Sequence, residues 1–273
     1  MRKIVTFLAA AMVLAGCGDD SGTNNEGPNS MVPSCENCEY STLTDSRDNQ
    51  VYHTVKIGSQ WWMAENLRFA YAQRTADLDS SSACIENDPE NCRAFGRFYT
   101  WSAAMDSVGL FSTNGFGCGD GNADCDRTYP VRGICPEGWH LPSSNEVKEL
   151  FIAVGGTKGT DDKPDRWINV GAKLTVCEGI NLYGFGATSP VDRMEFCSRN
   201  SDIYLECSRY FFYWSADYEE VSKHRVDFWT SSLNGSISQS EGIWGLRCYD
   251  DMAYIDIKSE VSDGLQYIRC VKD

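Results

Sequence analysis

The chain has 273 residues, 13 of them cysteine, and a formal charge of −15 from 39 acidic and 24 basic side chains. An acidic balance of this size argues against nucleic-acid binding, because it repels phosphate. So many cysteines argue against a reducing cytosol, and 42% apolar with 12% aromatic residues excludes global disorder.

Arg2 and Lys3 precede an almost unbroken apolar run over residues 4–15. That run falls short of the roughly 20 residues needed to cross a bilayer, and it reads as a secretory signal. Leu14, Ala15, Gly16 and Cys17 end it in an order that resembles the bacterial lipobox. The resemblance implies diacylglycerol attachment at Cys17 and cleavage before it. The lipid membrane is then a partner, and the location is the cell envelope outside the cytoplasm, most simply the outer membrane or cell surface. One acyl chain holds a protein only marginally, whereas two or three hold it stably. Setting Cys17 aside leaves an even set of twelve cysteines, consistent with disulfides. Losing Arg2 and Lys3 with the signal takes the charge from −15 to −17.

Residues 18–33 lack aromatics and are rich in Gly, Asn, Ser and Asp. Such a stretch cannot offset its ordering entropy and reads as a flexible tether. The expected organisation is a signal peptide over 1–16, a lipid-anchored tether over 17–34 and one domain over 35–273.

Within the domain, residues 41–64 read as short strands. Val51, Tyr52, Thr54, Val55 and Ile57 carry the strand propensity, with turn formers on either side. Trp101, Ala104, Met105 and Val108 recur at helical spacing, as do Val147, Leu150, Phe151 and Val154. Ser143 with Glu146 forms a capping box that opens the second helix, and Gly155 with Gly156 stops it. Short strands and irregular loops follow. The fold class expected is α+β, with two main helices, short antiparallel strands and long disulfide-bridged loops.

Asp120, Asn122 and Asp124 alternate as oxygen donors do around a calcium ion. Cys125 and Val131 stand where an EF-hand needs glycine and glutamate, so that motif is excluded. A turn pinched by a Cys118–Cys125 bridge is the favoured reading, and calcium is the weaker one. Cys35 and Cys38 have redox or zinc spacing, yet lack a second ligand pair and a strand-helix setting. A structural bridge, within the pair or to the body, is preferred. Cys84 and Cys92 are further disulfide candidates. His53, His140 and His224 sit in no hydrolase or metalloprotease motif, and a packed role is expected for His140. No catalytic residue is assigned. Trp214, Trp229 and Trp244 are the candidate ligand-binding aromatics of the late, loop-rich part.

Several blocks carry a family resemblance. They are residues 44–58, continuing through Trp61, Trp62, Met63, Ala64, Glu65, Asn66 and Leu67; Gly96, Arg97, Phe98, Tyr99, Thr100 and Trp101; Gly133, Ile134, Cys135, Pro136, Glu137, Gly138, Trp139, His140, Leu141 and Pro142; Tyr183, Gly184, Phe185, Gly186 and Ala187; and Arg269, Cys270, Val271, Lys272 and Asp273. Together these resemble the Fibrobacter succinogenes major paralogous domain, a family of bacterial secreted and lipid-anchored proteins. The Gly138-to-Pro142 block also looks like part of a C-type lectin-like domain. That likeness implies a Cys135–Cys270 bridge. Cys177, Cys197, Cys207 and Cys248 read as additions in a loop-rich insertion. The calcium-lectin tripeptides Glu-Pro-Asn, Gln-Pro-Asp and Trp-Asn-Asp are missing from the sequence. The function expected is a membrane-anchored surface or periplasmic binding or adhesion module for a polysaccharide or protein ligand. The alternatives are an enzyme on a scaffold like that of the formylglycine-generating enzymes, or a structural envelope protein.

Overall fold

The computed structural model describes residues 37–75, 81–119, 125–160, 166–175, 182–187, 196–200, 204–208, 225–229, 231, 241–247, 252–258 and 265–273. Cys17, Cys35, the tether, Asp120, Asn122, Asp124, Cys177, Trp214, His224 and Cys248 lie outside these residues.

Strands β1 (Glu39–Thr44), β2 (Val51–Ile57) and β3 (Gln60–Met63) form a meander. Short pieces follow: β4 (Ser82–Ala83), α1 (Pro89–Phe95), β5 (Phe98–Tyr99), α2 (Trp101–Ala104) and β6 (Trp139–His140). Then come α3 (Ser144–Ala153), β7 (Thr157–Lys158), β8 (Arg166–Ile168) and α4 (Gly171–Leu174). The last strands are β9 (Phe196–Asn200), β10 (Tyr204–Ser208), β11 (Arg225–Trp229), β12 (Glu241–Arg247), β13 (Met252–Lys258) and β14 (Val271–Lys272). One antiparallel sheet has the order β1-β2-β3-β14-β6 and a second has the order β11-β12-β13-β8-β7. The chain is therefore α+β with antiparallel sheets.

The first sheet buries side chains on both faces, because strand residues alternate sides. Tyr52, Met63 and Cys270 join one apolar cluster, with α2 and Leu141. Val55, Ile57, Trp62 and Val271 join the other, against α3, Trp167, Phe228 and Ala253. Helix α3 supplies Val147, Leu150, Phe151 and Val154 to that second cluster. It starts as the sequence indicates: the Ser143 hydroxyl accepts from the Glu146 N–H, and the Glu146 carboxylate accepts from the Ser143 N–H. Gly155 ends it in the left-handed region, φ 79°.

The other expected helix is cut short. α2 stops at Ala104, and Val108 is 41% exposed rather than packed. Asp106 turns left-handed at φ 54° and takes the chain out of the helix.

Disulfides join Cys84 to Cys92, Cys118 to Cys125 and Cys135 to Cys270. The third spans a sequence separation of 135 and ties the turn leading into β6 to the residue before β14. Closing a loop of that size is worth about 4–5 kcal/mol in the chain-entropy account. Cys38 is disulfide-bonded as well.

Candidate functional site

Asp106 organises the loop that replaces the rest of the helix. It is fully buried, and its carboxylate accepts from the backbone N–H of Leu110 (3.1 Å), Phe111 (2.6 Å) and Ser112 (2.9 Å). The Tyr71 hydroxyl donates to it at 2.7 Å. Burial, and then Asp106 itself, push the Tyr71 phenol well above the ordinary tyrosine range, so it remains a donor. Further backbone bonds stiffen the loop. The Phe116 N–H donates to Thr113, Gly117 to Ser107 and Thr128 to Asn114. The Phe111 ring anchors the loop base, edge-on to Phe69 at 5.4 Å and under the Arg47 guanidinium at 4.6 Å.

This rigid loop carries apolar side chains into water. Leu110 is 50% exposed, Phe116 60% and the neighbouring Tyr129 52%. Gly109, at φ 68°, lets the Phe116 ring lie on it; a Cβ there would sit 3.0 Å from the Phe116 Cδ2. Residues 107–118 contain no ionisable side chain apart from the disulfide-bonded Cys118, in a chain that is 23% charged. Two exposed rings, held on segments joined by the Thr128–Asn114 bond and flanked by hydroxyls and amides, suit an uncharged ligand.

A second polar cluster surrounds His140. Its Nδ1 lies 2.6 Å from Asp273 Oδ1 and its Nε2 lies 2.7 Å from Glu146 Oε1. The Ser143 hydroxyl donates to Glu146 Oε2 at 2.7 Å. The order of contacts is serine, glutamate, histidine, aspartate. A hydrolytic triad needs the histidine against the hydroxyl; here carboxylates occupy both ring nitrogens, so this cluster does not activate a nucleophile. The histidine is buried, as a packed role requires, but it is held by ion pairs.

Each of the seven cysteines whose side chains are described is disulfide-bonded. Among the described residues no cluster of His, Cys, Asp or Glu could hold a metal ion, and no helix is long and apolar enough to cross a membrane. Trp229 falls on β11 and Trp244 on β12, where Trp229 pairs with Ile243 and Trp244 with Phe228. Cys197 pairs in register with Cys207 across the β9–β10 hairpin.

Residues 55–272 match the Fibrobacter succinogenes major domain. The chain belongs to that family. No curated protein and no solved structure matches it. The family's blocks are now placed: its Trp61-Trp62-Met63 run is β3, its Trp139-His140 pair is β6, and its terminal Cys270-Val271-Lys272 run holds β14. In this Fibrobacter succinogenes major domain the exposed rings of Phe116 and Tyr129 escape a reading of periodicity, because residues 101–108 mimic a helix. The uncharged run over 107–118, with Gly109, Gly115 and Gly117, is the signal that marks it as a loop.

Proposed function

We propose that the protein is a lipid-anchored, non-catalytic binding module of the bacterial cell envelope that holds a neutral polysaccharide on the loop over 107–118 and Tyr129. The observation that carries this reading is the exposure of Phe116 on a stiff, uncharged loop of an acidic protein, with Tyr129 exposed on the neighbouring segment. Exposed apolar clusters on ordered loops mark interaction sites. An uncharged polymer suits the site because it avoids the field of a mature chain at −17, whereas acidic polymers are repelled.

Placement supports the same reading. Arg47, in the turn after β1, stacks on Phe111 at the loop base, whereas the chain enters β1 at Glu39. The two ends of β1 are about 17 Å apart at strand rise. The described chain thus enters the sheet at the end of β1 opposite the one whose turn contacts the loop base. The lectin-like scaffold is the finer form of this proposal: the Cys135–Cys270 bridge and the β14-centred sheet accord with it.

The test is sedimentation of the detergent-solubilised chain with a panel of insoluble neutral polysaccharides, with and without EDTA. Binding that falls about five- to thirtyfold in Phe116→Ala with Tyr129→Ala, and persists in EDTA, is expected for roughly 1–2 kcal/mol of ring stacking. Absence of binding across the panel overturns the reading. Cys17→Ser should move the protein from the membrane fraction to the soluble one.

A further inference from the structure

The cluster at His140 has no part in the binding reading, and its chemistry is bistable. We infer that His140, Glu146 and Asp273 form a pH-gated latch, which fastens the end of β14 and the edge strand β6 to the first turn of α3 only while the imidazole is protonated.

The argument begins with proton counting. An imidazolium has two N–H donors, but a neutral imidazole has one donor and one lone pair. His140 faces a carboxylate oxygen at 2.6 Å from one nitrogen and at 2.7 Å from the other. Only the cation satisfies both. On loss of the proton, one contact becomes a lone pair pressed against an anionic oxygen, and that contact must open.

The side that opens is set by the surroundings. Glu146 is committed elsewhere, since its other oxygen accepts the Ser143 N–H at 2.8 Å and the Ser143 hydroxyl at 2.7 Å. Turning it away would uncap α3. Asp273 is 53% exposed, and its own N–H donates to the Gly138 carbonyl at 3.1 Å. Asp273 therefore yields. Its release frees the strand end beside β6, whose pairing with β14 runs Val271 to His140 and Lys272 to Trp139. β6 lies at the sheet edge, so one covering contact of that edge depends on the proton.

Glu146 from α3 and Asp273 from the segment after β14 are the charged groups that act on the ring. Burial works to lower the imidazole's pKa, but the two carboxylates outweigh it and the net direction is upward. The latch is therefore closed in mild acid, where Glu146 is ionised and His140 is charged, and opens on the alkaline side of an ordinary histidine.

The experiment is an NMR titration of the full chain. It follows the His140 ring resonances together with the Asp273 amide shift and its hydrogen-exchange protection factor. The expected result is a His140 midpoint above 6.5, with Asp273 protection lost by about tenfold or more at the same midpoint. His140→Gln should abolish the protonation-linked step. Should that variant fail to fold, Asp273→Asn at the exposed position serves instead; it should lower the His140 midpoint and remove the coupled step. A His140 midpoint at or below 6.5, or an Asp273 amide that does not follow it, overturns the latch.

Discussion

Two loops of this domain are each built on one buried ion, and they solve the same problem with opposite charges. Asp106 is an anion under the loop over 107–118, and three backbone N–H groups and the Tyr71 hydroxyl surround it. Arg269 is a cation under residues 185–187, only 1% exposed, and it donates to the Phe185 and Gly186 carbonyls and to Asn66 Oδ1. The Phe185 and Phe228 rings lie 4.4 Å and 5.6 Å from its guanidinium. Neither ion has a direct salt-bridge partner among the described residues. Burial pulls the arginine's pKa down to about 9, so it still carries its charge at neutral pH. The contrast lies in what each ion supports. Asp106 holds a loop that faces water; Arg269 stitches the core between two sheets. Backbone dipoles can stabilise a buried charge without a counterion, and the chain spends that device once on a surface and once on packing.

The comparison can be broken hardest at Arg269. Replacing it with Met leaves two carbonyls and an amide oxygen without donors, so denaturant unfolding should show a loss of about 3–5 kcal/mol. Asp106→Ala should cost less, about 2–3 kcal/mol, because the freed N–H groups lie near solvent. It should also weaken polysaccharide binding, whereas Arg269→Met in any folded fraction should not. A smaller effect is expected at His140, where the raised pKa gives stability that is full below 6.5 and fades as pH climbs through the folded value. Glu146 has a lowered pKa, because His140 and Ser143 outweigh its burial. Its contribution is full above 4.5 and is lost as pH falls through the folded value. The cluster therefore stabilises most between 4.5 and 6.5. His140→Gln should flatten the pH–stability curve by about 1 kcal/mol. Least of all, Phe116→Ala should leave stability within about 0.5 kcal/mol, since surface changes rarely do more. Its binding loss then separates surface from scaffold.

The parts legible in the sequence are those fixed by neighbours along the chain. The capping box of Ser143 and Glu146 and the face of α3 need only local spacing, and both stand in the structure. The strands near Val51 and Trp61 follow from propensity and turn residues. The helix over 101–108 was misleading because its spacing is helical but its end is set by a tertiary event. Asp106 leaves the helix to bind Tyr71, 35 residues away in sequence. Likewise, a packed role for His140 is legible from Trp139 and Leu141, yet one of the two carboxylates that charge it, Asp273, is 133 residues away. Arg269 stands within a family block, but nothing in its neighbours signals burial. Trp229 and Trp244 lie on β11 and β12, and Trp214 lies outside the described residues.

One consequence follows from β14, which lies between β3 and β6 although it comes last among the described strands. The β1-to-β3 meander is local in sequence, yet one of its edges stays open until Val271 pairs with Trp62. Until β14 docks, that edge is bare and Cys135 lacks its disulfide partner. Pairing of β14 thus covers the open edge of β3 and brings Cys270 to Cys135 in a single docking event.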